Sequence, residues 1–188
     1  MSRWEPNARG RLAQAALELY SERGYDEVTV AEIAGRAGLT ERTFFRHFAD
    51  KREVLSYGAA ALEEQIVGGV DAAPDGLALM DVVGTAIESA AEFLGADSSF
   101  AARRQAVLAA NPELQERELI KLAMFAAALA AALRRRGVGD PAASLAAEAG
   151  IAVFKVAYQR WADEADELTL KQVVRDCLAE LKTVTAGG

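Results

Sequence analysis

The sequence predicts an all-α fold of about nine helices, and three observations carry that expectation. Apolar residues recur at spacings of three and four through most of the chain, and no stretch shows the two-residue alternation of a half-buried strand. Helix starts are written repeatedly. Thr29 with Glu32 and Thr169 with Gln172 have the spacing of a capping box, and Asn111-Pro112 and Asp140-Pro141 place a capping side chain before proline at the first helical position. Helix stops answer them, with Gly24, Gly38, Gly95 and Gly137 each closing an apolar-periodic run.

Taken in order, a first helix is expected from about Pro6 to Arg23, with Leu12, Ala16 and Leu19 inward. The second begins at Val30 behind the Thr29–Glu32 box and presents Val30, Ile33, Ala34 and Ala37 on one side. Gly38 supplies the positive φ that ends it, Leu39 plugs the core, and Thr40 caps a third helix running to about Phe48. Asp50 with Glu53 reads as the cap of a long fourth helix that starts near Lys51 and reaches about Val67, with Gly68-Gly69 and Ala73-Pro74-Asp75-Gly76 marking a break. Leu77 to Leu94 and Ser98 to Ala110 are the fifth and sixth. The seventh opens at Pro112 and ends on Arg134, Arg135 and Arg136, cations suited to the negative end of the helix dipole. The eighth runs from Pro141 to about Ala162, and the ninth from the Thr169 cap to about Lys182.

Two short helices joined by a tight turn containing Gly form a helix-turn-helix, whose second helix enters the major groove of DNA. A net charge of −7 opposes that function until it is divided along the chain. Residues 1–55 carry nine basic and nine acidic side chains, so the whole excess of acid lies beyond them. Within Thr40 to Arg52, Arg42, Arg46, Lys51 and Arg52 face only Glu41 and Asp50, a local positive face on an acidic body. An ordinary mixed-charge surface would give the same count. No apolar run reaches the roughly 18 residues of a membrane span. The opening M-S-R-W-E-P lacks a secretory signal's apolar segment, and the single Cys177 suits a reducing compartment, so a cytoplasmic, membrane-free protein is expected.

The run T-V-A-E-I-A-G-R-A-G-L-T-E-R-T-F-F-R-H-F-A-D-K-R-E-V-L, from Thr29 to Leu55, resembles the DNA-binding domain of the TetR family of bacterial regulators. Thr29, Ile33, Ala34, Ala37, Gly38, Leu39, Thr40, Thr43, Phe44, Phe45, His47, Phe48, Asp50, Lys51 and Leu55 fit that family's pattern without a gap. The resemblance implies a three-helix DNA-binding domain, here placed at residues 1–50, and a ligand-binding, dimerising helical domain over 51–188. The stretches A-N-P-E-L-Q-E-R-E-L-I-K-L-A and V-F-K-V-A-Y-Q-R-W further resemble an actinobacterial subgroup that includes the regulator of mycofactocin gene clusters, for which the effector is a long-chain acyl-CoA.

Position and resemblance together name candidate residues. Thr40, Glu41, Arg42 and Thr43 open the recognition helix, with Arg42 the candidate for reading guanine bidentately. Thr43, Phe45, His47 and Lys51 match the family's phosphate-facing positions, Arg46 and Arg52 add charge, and Thr29 and the free N–H groups near Lys51 stand at helix N-termini that hold phosphate. Phe45 departs from the family's commoner Tyr and loses its hydroxyl. His47, the only histidine, is either a phosphate contact or a structural residue.

Met80, Phe93, Phe100, Met124, Phe125, Phe154 and Tyr158 are candidate lining for a small apolar effector, an acyl-CoA or fatty acid first. Arg103 and Arg104 are its polar anchors or else plain surface arginines. Ile151, Phe154, Tyr158 and Trp161 share one face of the eighth helix; Leu170, Val174, Cys177 and Leu181 share one face of the ninth. The family pairs these two helices across a twofold axis, so Ile151, Trp161, Leu170, Val174, Cys177 and Leu181 are candidate homodimer contacts, the alternative being closure of the monomer core. Cys177 in that stripe reads as a buried thiol rather than a redox sensor. No catalytic residue, metal site or cofactor is expected, since the one His and the one Cys lie on separate helices without an acid–base partner. The expected function is a ligand-released homodimeric repressor on a pseudo-palindromic DNA operator. An activator or an effector-independent regulator is the alternative; a helical enzyme or an architectural DNA protein fits less well.

Overall fold

The computed structural model describes residues 7–95, 97–163 and 168–186; Pro6, the expected start of the first helix, lies outside them. Its elements among these residues are α1 (Ala8–Arg23), α2 (Val30–Arg36), α3 (Glu41–His47), a 3-10 turn (Glu53–Ser56), α4 (Ala59–Ala72), α5 (Leu79–Leu94), α6 (Ser98–Ala109), α7 (Pro112–Arg135), α8 (Ala142–Asp163) and α9 (Leu170–Thr185). No strand is present among them, and none of these helices is long and apolar enough to cross a membrane. The chain divides into two compact units. The first is the chain through Gly58 together with Arg103–Glu118; the second is Ala59–Ala102 with the chain from Leu119 onward. The unit boundary therefore falls eight residues past the expected position 50, and the first unit takes in a segment from far along the sequence.

In the first unit, α1 supplies Leu12, Ala16, Leu17 and Leu19 to a core completed by Val28, Ile33, Phe44, Phe48 and Val54. Tyr20 joins that core and donates its hydroxyl to Lys51 O at 2.7 Å. Burial, the neighbouring Tyr25 and the Asp50 carboxylate all push the Tyr20 phenol up, so it stays a neutral donor. The Thr29–Glu32 capping box is closed as expected, with Thr29 N–H on the carboxylate at 2.8 Å and Glu32 N–H on the Thr29 hydroxyl at 3.3 Å.

In the second unit, α5 packs against α4, α8 and α9. The expected break at Gly68-Gly69 is not one: α4 runs through both. Gly69 serves close approach instead, since a Cβ there would stand 2.6 Å from the Cα of Ala86 on α5. The real break is at the other end. The expected fourth helix from Lys51 is divided into the 3-10 turn and α4, with Gly58 at φ 85° between them. A backbone in that region ends a helix, so no single rod runs from Lys51 to Val67.

Arg136 closes the C-terminal end of α4, donating to Val70 O at 3.1 Å and Pro74 O at 2.6 Å. The Thr169–Gln172 box starts α9, which is tied to α5 by Arg175–Glu88 at 2.7 Å and Lys182–Asp81 at 2.5 Å. Asn111, expected to cap α7 with its side chain, turns back and donates to Val107 O at 2.6 Å, closing α6 instead.

Candidate nucleic-acid interface

Helices α2 and α3 meet through Ala37-Gly38-Leu39, and each amide of that turn is used. Ala37 N–H donates to Ile33 O, Gly38 N–H to Gly35 O and Leu39 N–H to Ala34 O, at 3.0, 3.0 and 2.8 Å. The last bond reaches back five residues, which requires a left-handed residue between; Gly38 has φ 67°. Thr40 then caps α3, its hydroxyl accepting from Thr43 N–H at 3.2 Å and lying 3.1 Å from the Thr43 hydroxyl.

Orientation of α3 follows from two aromatic side chains. Phe44 and Phe48, four residues apart, are fully buried and turn one side of the helix into the core. The opposite side carries Glu41, Arg42, Phe45 and Arg46, all exposed, with Phe45 at 55%. Their spacing of one, three and one makes a single strip along the helix. Arg42 and Arg46 form no hydrogen bond or ion pair with any described residue. The cations around them differ. Arg23 pairs with Glu32 at 2.6 Å, Arg36 with Glu22 at 2.9 Å, Arg52 with Asp50 at 2.7 Å and Arg104 with Glu118 at 2.6 Å. Two neighbouring arginines without a carboxylate on one exposed strip suit a polyanion.

Three of the sequence candidates stand apart from this strip. Lys51 directs its ammonium inward, to the carbonyls of Tyr25, Asp26 and Val28 at 2.9, 3.3 and 3.1 Å, with the Tyr25 ring 4.3 Å below. All three donors are thereby filled, so the side chain is a lock between the 3-10 region and the loop after α1. Arg52 forks onto Asp50. Burial alone would raise the Asp50 carboxyl; Arg52, the amides of Glu53 and Arg52, and Arg117 together hold it below its usual value. Thr29 has its hydroxyl closed inside the capping box.

The structure adds a residue that sequence reading missed. Arg9, in the first turn of α1, lies with its guanidinium 5.2 Å from the Phe48 ring and 5.8 Å from the Tyr57 ring. It acts on His47, whose imidazole is held below its ordinary pKa by burial first, then by Arg46 and Arg9. His47 Nε2 is buried and has no hydrogen-bond partner among the described residues. Arg9, Arg46 and His47 thus form an electropositive corner at the C-terminal end of α3. The signal in the sequence was a cation in a helix's first turn, where the dipole disfavours it and where α1 has no acidic residue.

Of the effector candidates, Phe125 and Phe154 are buried in the core of the second unit, with Met80 and Tyr158 packed against it. Phe154 and Tyr158 have ring centroids 6.0 Å apart. Phe93 and Met124 face solvent, 46% and 58% exposed, so they do not share that interior. Phe100 is half-buried; Arg103 is exposed and Arg104 is buried in the first unit. Of the dimer candidates, Ile151, Trp161, Leu170 and Val174 are covered by the chain itself, none more than 6% exposed, and so pack the monomer core rather than offer a face. Cys177 and Leu181 are half-buried at its edge. The outer face of α8 carries Leu145, Ala152 and Val156, exposed and seven and four residues apart.

A helix-turn-helix with an exposed, cationic second helix, followed by an all-helical unit, defines a class of DNA-binding regulators. The family model described as bacterial regulatory proteins, tetR family, matches residues 12–57, and that of the MftR C-terminal domain matches residues 77–186. The chain belongs to the TetR family of transcriptional regulators, with a C-terminal domain of the MftR type. It is 27% identical over 162 residues to MftR of Mycobacterium tuberculosis, named for mycofactocin biosynthesis, covering 84% of this chain and 82% of that one. It is 40% identical over 68 residues to the regulator TcmR of Streptomyces glaucescens, 36% of this chain but only 30% of TcmR's length. The crystal structure of the transcriptional regulator FadR from Bacillus subtilis in complex with stearoyl-CoA has the same fold, with a TM-score of 0.65 at 19% identity, covering 92% of this chain and 96% of that one.

Proposed function

We propose that this regulator is a cytoplasmic homodimeric repressor that reads a pseudo-palindromic operator through α3 and releases it on binding an apolar effector. The observation that carries the DNA half is the strip of α3 on which Arg42 and Arg46 stand exposed and unmatched, on a helix held in place by a closed helix-turn-helix. In this reading Arg42, at the helix's N-terminal end beside Thr40, reads a base edge. Arg46, His47, Thr43 and Arg9 meet phosphates, with Phe45 against the sugar–phosphate chain. The outer face of α8 at Leu145, Ala152 and Val156, with Cys177 and Leu181 of α9, pairs with its twofold mate.

The effector reading has separate support. The FadR relative holds stearoyl-CoA, and the apolar interior of the second unit around Met80, Phe125, Phe154 and Tyr158 offers matching chemistry for an acyl chain.

Selection from a randomised duplex pool, followed by titration of the enriched duplex, tests the DNA half. Arg42→Ala is expected to lose about 1–3 kcal/mol and relax preference at one base pair per half-site. Arg46→Ala is expected to weaken all duplexes alike and lower the salt slope by about one. Equal, sequence-independent losses in both variants would remove Arg42 from base readout. The effector half requires reciprocity: stearoyl-CoA should bind more weakly when the operator is present, by the factor with which it releases the operator, roughly 5–150-fold.

A further inference from the structure

Arg104 is the one charged residue buried among those described, at 8% exposure. It stands on α6, some fifty residues beyond the helix-turn-helix, yet it lies in the same compact unit. Its Nε donates to Leu55 O at 3.1 Å, and its two terminal nitrogens fork onto the Glu118 carboxylate at 3.3 and 2.6 Å. Leu55 lies in the 3-10 turn, near a helix end, where carbonyls lack partners within their own helix. A second bond from the same segment joins Arg117 to Asp50 at 3.4 Å. Asp50 is the carboxylate that begins this turn, accepting from the amides of Arg52 and Glu53 at 2.8 and 3.0 Å. Segment Arg103–Glu118 therefore holds both ends of the stretch that leaves α3.

An ion pair with its guanidinium buried and its carboxylate half-buried is a poor way merely to fasten two elements, because apolar residues of the same volume often stabilise as well or better. What a guanidinium adds is direction. Its rigid planar fork fixes angle and distance to several oxygens at once. We propose that Arg104 is a positioning residue for DNA recognition: by holding the Leu55 carbonyl and Glu118 together it sets the pose of the 3-10 turn, and through it the exit of α3. This rests on α3 being the DNA-reading helix. Along the chain α6 begins before Arg103 and α7 runs on past Glu118, so each helix is divided between the two units.

The test compares the full-length wild type with Arg104→Lys, Arg104→Met and the double variant Arg104→Met/Glu118→Leu. The probes are the duplex that the wild type enriches from a randomised pool and a scrambled duplex. Arg104→Met alone takes the guanidinium fork away from the Glu118 carboxylate and should melt early. The double variant removes both charges at similar volume, and its melting temperature should return toward that of the wild type. Positioning requires that the double variant and Arg104→Lys still bind the enriched duplex about tenfold more weakly, inside the range of coupled sites. It also requires a reduced ratio of enriched to scrambled affinity and faster amide exchange at Asp50–Ser56. Affinity ratio and exchange that recover together with melting temperature would overturn the proposal and leave Arg104 as a fastening only. Should the double variant not fold, Arg104→Lys decides on the same ratio. Failure of the wild type to enrich any duplex is a different result; it sinks the DNA-reading conclusion and this proposal with it.

Discussion

The two units differ in the balance of contacts that holds their helices. In the first, α2 and α3 have seven residues each, too short to persist alone in water, and polar contacts at and around their ends add to the apolar anchors Ile33, Phe44 and Phe48. The polar contacts are the Thr29–Glu32 box, the Thr40 cap, the Lys51 ammonium on three carbonyls and the Arg104 clasp. In the second, helices of 14 to 22 residues meet along their lengths on small residues, Gly69 against Ala86 and Gly150 against Val83. The contrast explains where unmatched charge can stand. A unit held in part at its helix ends can leave one whole helix face outside the core, and that face is where Arg42 and Arg46 lie.

The widest gap between the two faces of one helix pair should come from buried against exposed valines in the second unit. Val174 on α9 is wholly buried, whereas Val156 on α8 is 57% exposed. Val174→Glu would place an unpaired charge inside the core and should cost about 3–5 kcal/mol, seen as loss of the cooperative melt. Val156→Glu should leave the helical content unchanged and shift the protein from dimer to monomer in sedimentation. A folded, dimeric Val156→Glu protein would move the proposed interface off this face of α8.

A smaller and sharper contrast lies in two adjacent glycines of α4. A Cβ at Gly69 would meet backbone of α5, so Gly69→Ala should destabilise by about 1–3 kcal/mol. A Cβ at Gly68 would meet nothing within 4 Å, so Gly68→Ala should stabilise by about 0.5–1 kcal/mol through helix propensity alone. Thermal unfolding of both variants checks the sign. If the two moved together, the α4–α5 contact would not be the tight crossing described.

The same contrast accounts for what was legible in the sequence. Helix caps announce themselves: both boxes, the Gly38 turn and the α3 cap lie where Thr29, Thr40 and Thr169 placed them, because caps are local chemistry between residues three apart. Faces of long Ala-rich helices do not. Ile151, Val174 and Trp161 have the right period for an interface, but period shows only that residues share a face, not which neighbour covers it. Lys51 and Arg104 were misplaced for a related reason. Each is fixed by carbonyls or a carboxylate 14 to 49 residues away, contacts that no local pattern records. Arg9 was missed because its partners, Phe48 and Tyr57, lie some forty or more residues on.

The smallest expected effect separates the two capping boxes, which share a geometry but not a charge. In each, the threonine N–H donates to the partner's side-chain oxygen at 2.8 Å and the partner's N–H to the threonine hydroxyl at 3.3 Å. The partner is Glu32 in the first unit and Gln172 in the second. Glu32 is held at about 2, from an ordinary value of 4.5, by the Thr29 backbone N–H, then the Arg23 guanidinium and the Thr29 hydroxyl. A carboxyl lowered on folding contributes stability that is fully present above about pH 4.5 and is lost as pH falls through about 2. Glu32 is exposed, so the contribution is small and should shrink further in salt. The difference in melting temperature between wild type and Glu32→Ala should therefore narrow from pH 5 toward pH 2, while that for Gln172→Ala stays level, because an amide does not titrate. A Glu32 difference that stayed equally flat would mean that its charge, as distinct from its hydrogen bonds, contributes nothing to the start of α2.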